Sequence, residues 1–357
     1  MHGIPQFEVP AGAAATVKII DTTSSLNLVP LGRLLEPPVH NVNHVPFLPV
    51  YSYYIESSDG RKVLFDLGTR KDMHNLSPSV YNRLPTTGWE LRVEKNVIEI
   101  LEESGYQGSN FEAIIWSHQH WDHIGDPSTF PDSVKLVVGP GFKDAYLPGY
   151  PERADSPILE TDYRGREMIE IDFSESHTLT LGRLPAHDYF GDGSFYLLNC
   201  PGHAIGHLSA LVRTSTNPDT FILLAADAVH DMGEIRPSEY LPLPKEIDLH
   251  HYGYPAPCPG HLVEMFQDSR GREPMQPLFI PSTAESLSTA RATISKLQEA
   301  DCQDNILAIC GHDNALAEVI DLFPKSANHW KAKGWSGRIH WAFLRFYIPA
   351  FLSGGRG

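Results

Sequence analysis

The heptad Ser117-His118-Gln119-His120-Trp121-Asp122-His123 places three imidazoles and a carboxylate within one short stretch, directly after the apolar residues 113–116. That apolar run reads as a buried strand, so the heptad sits where a strand gives way to a turn. Side chains at i and i+2 of an extended segment project to the same side, and His118 and His120 can therefore grip one cation together. Asp122 and His123 fall past the strand end, where a turning chain aims them at a second, adjacent position. Two neighbouring metal ions become possible. Imidazole with carboxylate suits borderline divalent ions, zinc first, with iron, manganese or cobalt as substitutes.

Other strand-like runs repeat the arrangement. Residues 195–198 lead into Pro201-Gly202-His203-Ala204-Ile205-Gly206-His207, which sets a histidine on a glycine-flanked turn. The run Leu223-Leu224-Ala225-Ala226 ends in Asp227, and Ile306-Leu307-Ala308-Ile309-Cys310-Gly311 leads straight into His312. Each of these residues alone would read as structural. Their common placement at the carboxyl end of an apolar strand makes them ligand candidates.

With 357 residues, 41% of them hydrophobic, the chain has ample core to fold unaided. No internal repeat, low-complexity tract or linker breaks it, and residues 1–357 read as a single domain. Further strand-like runs fall at 16–20, 48–56, 62–65, 134–138, 208–212 and 221–225, and helical patterning at 91–104 and 283–300. Strand-rich halves, each followed by helix, predict an α+β fold in which helices cover two packed sheets. Residues 233–281 differ, being rich in proline and aromatic residues such as Pro237, Tyr240, Tyr252, Tyr254, Pro255 and Phe266. They read as a lid-like insertion whose rings would face an apolar or aromatic substrate.

Acidic residues outnumber basic ones by 44 to 28, a formal net charge of −16, which argues against a nucleic-acid partner because phosphate binding needs a basic face. The most apolar stretch, 339–352, carries Arg345 and Pro349 and is shorter than the roughly 20 residues a bilayer span needs. It reads as a docked terminal segment rather than a transmembrane one. Cys200, Cys258, Cys302 and Cys310 show no C-x-x-C spacing, and residues 1–6 show no basic region leading into an apolar core. Both features predict free thiols in the cytoplasm.

Taken in order, these motifs, together with Leu64-Phe65-Asp66-Leu67-Gly68, resemble the metallo-β-lactamase superfamily of hydrolases, from Val17 to about Leu316. The resemblance implies an αββα four-layer sandwich with two metals along one edge. It assigns His118, His120 and His203 to one metal, Asp122, His123 and His312 to the other, and Asp227 to a bridge. It gives Asp66 the task of orienting a ligand and His207 a hydrogen bond within its own turn. The order and spacing look most like the lactonase and glyoxalase II branches, and nearer still to fungal lactamases and lactonases, some of which open benzoxazolinone-type rings. Two departures stand out. His230 replaces the tyrosine that quorum-quenching lactonases carry three residues after the bridging aspartate, and Ala204 replaces the usual threonine after the third histidine.

The implied activity is opening of a cyclic ester or amide by hydroxide drawn from a water that two divalent ions share. Asp122 and His230 are the catalytic candidates, His230 as a donor to the oxyanion or the leaving group. The alternative is a thioesterase of the glyoxalase II or acyl-carrier type, and after it a mononuclear-iron dioxygenase. The expected partner is a small apolar or aromatic lactone or lactam.

Overall fold

Alternation along the strands divides their apolar side chains between two faces, and that division sets the layers. In this computed structural model, which describes residues 3–174, 179–254 and 256–352, seven strands build the first sheet: β1 (Thr16–Asn27), β2 (Leu48–Glu56), β3 (Lys62–Phe65), β4 (Glu90–Arg92), β5 (Ala113–Ile115), β6 (Lys135–Val138) and β7 (Met168–Glu170). Their order is β4-β1-β2-β3-β5-β6-β7. The second sheet holds β8 (Leu179–Leu181), β9 (Leu184–Asp188), β10 (Phe195–Asn199), β11 (Leu208–Ser215), β12 (Thr220–Leu224) and β13 (Ile306–Ile309), in the order β13-β12-β11-β10-β9-β8. β3, β5, β6 and β7 run parallel, as do β12 and β13, while the remaining neighbours are antiparallel.

Val63, Phe65, Ala113 and Ile115 share one buried cluster with Leu197, Ile222 and Leu224, and this is the core between the sheets. Leu64 and Ile114, the intervening residues, face the other way and pack with Val97, Ile98 and Leu101 of helix α1 (Val97–Glu103). On the far side of the second sheet, Leu198, Leu211 and Leu223 pack with Ile294, Leu297 and Ala300 of helix α2 (Leu287–Asp301). The layers are helix, sheet, sheet, helix, as the αββα expectation requires. Strands covered on both faces carry near-continuous apolar runs, which is why they are legible in the sequence.

The helix expected over 91–104 is shorter. Glu90–Arg92 pairs with the end of β1 as an edge strand, and α1 starts only after Asn96, whose backbone N–H donates to Glu99 Oε2 at 2.8 Å. The open edge of β1 overrides the helical pattern.

Residues 233–281, apart from Pro255, which lies outside the described residues, dock on the body of the protein. The Arg236 guanidinium, buried, donates through Nε to Asp301 Oδ2 at 2.9 Å. Tyr254 donates its hydroxyl to the Arg345 carbonyl at 3.0 Å, and Phe266 stacks edge-on against Phe351 with ring centroids 4.9 Å apart. The C-terminal segment is docked as expected, with Phe343, Leu344, Tyr347 and Phe351 buried. Among the described residues, no helix is long and apolar enough to cross a membrane.

Candidate metal centre

Each ligand candidate lies just past a strand end, on the edge where the two sheets meet. After β5 the chain runs through Trp116 and Ser117 to His118, and the one-turn helix Trp121–Ile124, capped by His120, turns Asp122 and His123 back toward it. His203 follows β10, Asp227 follows β12 and His312 follows β13. Asp66 and Ala226 adopt left-handed backbone, with φ of 61° and 47°, a conformation that costs a non-glycine residue about 1–3 kcal/mol and is held only where surrounding contacts demand it.

The side chains converge on two groups. His118 Nε2 lies 2.8 Å from His120 Nδ1, and His203 Nε2 lies 3.0 Å from the same atom. The donor atoms of His118, His120, His203 and Asp227 lie within 4.8 Å of one another, as do those of Asp122, His123 and His312. Asp227 reaches both groups. Its Oδ1 stands 3.1 Å from His123 Nε2 and 3.3 Å from His312 Nε2, and its Oδ2 stands 3.7 Å from His203 Nε2 and 3.9 Å from His118 Nε2.

The outer nitrogens of His118, His123 and His312 are held by hydrogen bonds that set their tautomers. His123 Nδ1–H donates to Asp66 Oδ2 at 2.9 Å, and His312 Nδ1–H donates to the Pro49 carbonyl at 3.0 Å. His118 Nδ1–H donates to Ser117 Oγ at 3.0 Å, and that hydroxyl donates to Asp66 Oδ2 at 2.8 Å. All three rings therefore present an Nε2 lone pair inward. Burial, with the neighbouring histidines, lowers the pKa of His118 and His203 well below the ordinary value. At Asp227 burial acts to raise the pKa, but His123 and His312 outweigh it and hold the carboxyl well below its usual range.

This donor set fits a pair of divalent cations. Ring nitrogens of His118 and His203 crowd to 2.8 and 3.0 Å of His120 Nδ1, and His123 Nε2 and Asp227 Oδ1 are buried with no hydrogen-bond partner among the described residues. Unpaired buried polar atoms are costly, and a cation between them removes the cost. Nitrogen and carboxylate oxygen are the donors that borderline divalent ions take.

Several features lie beyond the sequence reading. A Cβ on Gly311 would meet Asp227 Oδ1 at 2.7 Å and His123 Cε1 at 3.2 Å, so only glycine lets β13 pass this close to the cluster. Gly202 sits against the start of α2, where a Cβ would meet Ala290 N at 2.2 Å. Glycine at a tight approach leaves no periodic signal. The expectation for His207 is corrected: its ring is fully buried and neither nitrogen has a hydrogen-bond partner among the described residues. Backbone bonds close that turn instead, with Cys200 N–H donating to the His207 carbonyl at 3.1 Å, and the ring packs under His118 with centroids 5.1 Å apart.

A cavity of about 500 Å³ opens over the cluster. His120, Asp122, His203, Asp227, His230 and His312 form its floor, and its walls carry Leu26, Val29, Leu34, Val80, Leu84, Trp89 and Trp121. Among the described residues, none of 233–281 lines it. The tryptophans facing the cavity are Trp89 and Trp121, whereas Tyr254 and Phe266 of 233–281 are engaged with the C-terminal segment. His230 is buried, with Nε2 3.7 Å from Asp227 Oδ2 and Nδ1 3.6 Å from Glu234 Oε2.

Two sheets that deliver a histidine and aspartate cluster to their common edge define a metallo-hydrolase. Residues 45–258 match the family model of the metallo-beta-lactamase superfamily, and the chain belongs to that family. It is 41% identical to gamma-lactamase FDB1 of Fusarium pseudograminearum (strain CS3096), over 97% of this chain and 86% of that one. It is 37% identical to metallo-hydrolase mfmC of Annulohypoxylon moriforme, over 97% of this chain and 91% of that one. Among solved structures, an N-acyl homoserine lactone hydrolase with the product N-hexanoyl-L-homoserine bound at its catalytic metal centre superposes with a TM-score of 0.56. It shares 17% identity and covers 88% of this chain and all of that one, a likeness of fold.

Proposed function

We propose that the protein opens a cyclic amide or ester, a lactam or lactone, at a centre of two divalent metal ions, most simply zinc. The observation that carries this reading is the position of Asp227, one oxygen toward each group of histidines, on the floor of a largely apolar cavity. His118, His120 and His203 hold one ion, Asp122, His123 and His312 the other, and Asp227 joins them. Relatives named gamma-lactamase and metallo-hydrolase, aligned over nearly the whole chain, support the reaction class, and residues 1–357 act as one catalytic unit. Free cysteines, three of the four buried, accord with a cytoplasmic setting.

When bound, the metal pair supplies Lewis acidity at a carbonyl oxygen and brings the pKa of water toward neutrality. The chain's own residues do the rest. Asp66 and the Pro49 carbonyl hold His123 and His312 in the tautomer that offers Nε2. Trp89, Trp121 and the leucines orient the ring and keep bulk water from the floor. His230 lines the cavity beside Asp227, backed by Glu234, which also accepts the His230 backbone N–H at 2.6 Å. Burial works against a charged His230 ring, but the hydrogen bond and charge of Glu234 outweigh it and raise the pKa. Its ring N–H is placed to bond the carbonyl oxygen or to protonate the leaving atom.

Metal content per chain, measured beside turnover of an aromatic lactone, lactam and thioester, tests the proposal. About two equivalents with ring opening are expected, and Asp227→Ala should lose metal and activity together. One equivalent per chain, or Asp227→Ala retaining two, would overturn the ligand assignment. A preference for the thioester would move the reaction to the thioesterase class.

A further inference from the structure

We infer that the ring accepted by this cavity carries a second, anionic group, held at the cavity mouth by Arg33 and Arg83. The inference rests on the reading of the cavity as the substrate site. Both arginines line the cavity, and both are solvent-exposed. They arrive from separate segments, Arg33 from the turn Leu31–Leu34 and Arg83 from the link between the turns Pro78–Tyr81 and Leu84–Thr87.

Acidic residues are in excess by 44 to 28, and many other arginines have found one. Arg61 pairs with Glu112, Arg70 with Asp72, Arg164 with Glu160, and Arg345 with Glu318. Among the described residues, no hydrogen bond or ion pair engages the guanidinium of Arg33 or Arg83. The carboxylates that line the cavity, Asp122 and Asp227, lie on its floor within the metal cluster. The cavity is therefore polarised, with ligand-bearing carboxylates below, carbon walls between, and two free guanidinium forks at the rim.

A neutral ring gains only the burial that Trp89, Trp121 and the aliphatic walls provide. An anionic substituent adds charge-assisted hydrogen bonds to planar forks suited to carboxylate, sulfonate or phosphate oxygens. The forks are exposed, so the gain is screened by salt and amounts to about tenfold in affinity.

The test uses the metal-loaded protein and two non-hydrolysable bicycles, 1-tetralone and its ring-sulfonated form, with binding read from tryptophan fluorescence. The sulfonate should bind about tenfold more tightly, and the preference should shrink as salt rises from about 0.05 to about 0.5 M. In Arg33→Ala/Arg83→Ala the preference should vanish while 1-tetralone binds within about twofold of wild type. Because both side chains are exposed and unpaired, the substitutions leave the core untouched. Equal binding of the two probes by wild type, or a preference that survives in the double variant, overturns the inference. Turnover of dihydrocoumarin and its sulfonated form separates this result from the proposed function. Ring opening without any anion preference sinks the inference and keeps the hydrolase, whereas anion-selective binding with no turnover of dihydrocoumarin or of the lactam and thioester tested above keeps the inference and sinks the hydrolase.

Discussion

Asp66 Oδ2 lies 2.9 Å from Nδ1 of His123, joining the end of β3 to the turn that follows β5. The same oxygen accepts the Ser117 hydroxyl at 2.8 Å, and that hydroxyl accepts from His118. One carboxylate thereby orients a candidate ligand in each metal group. Asp66→Asn replaces an acceptor with an amide nitrogen and should weaken metal binding about 10- to 100-fold. Chelator competition measures it, and wild-type affinity in a folded variant would remove Asp66 from this role.

Gly311→Ala places a methyl group 2.7 Å from Asp227 Oδ1. Asp227 and His123 are both buried, and neither can withdraw without disturbing the cluster around it. Overpacking of this kind costs about 1–3 kcal/mol, and here the displacement falls on the residue proposed to join the two metals. Metal content should drop below two per chain, with a lower melting temperature, and elemental analysis beside calorimetry checks both.

His230→Phe keeps the ring's bulk and removes its donors. Because His230 is absent from both ligand groups, metal content should hold while kcat falls about 100-fold or more. Loss of metal with activity would make His230 a ligand, and an unchanged kcat would make it a packing residue.

Asp162 is buried, and burial raises its pKa to about 7 against the opposing pull of the Leu159 N–H and Arg70. In the unfolded chain its pKa is about 3.9. Between those values the unfolded chain has released a proton that the folded protein keeps, so rising pH favours unfolding. The penalty grows from about pH 4 to about pH 7, levels off above that, and reaches up to about 4 kcal/mol. Asp162→Asn should gain stability relative to wild type between pH 5 and pH 8 in denaturant titrations, and a pH-independent difference would refute the shift.

A family fold and its ligand candidates were legible in the sequence because both rest on local signals. Strands buried on two faces, such as β3 and β5, write apolar runs into the chain, and His118, Asp227 and His312 each follow such a run directly. β4, β7 and β8 are as short as β5 but are mostly exposed or half-buried, and so write no apolar run into the chain. Tertiary structure alone decided what depends on residues distant in sequence. It brought Arg33 and Arg83 to one cavity mouth, gave the walls to Trp89 and Trp121, and tied 233–281 to Asp301 and the C-terminal segment. It also set the tolerance at Gly311 and left the His207 ring nitrogens without a hydrogen-bond partner among the described residues. Periodicity reports which face of an element is buried, but it holds no information about which buried face another element will meet.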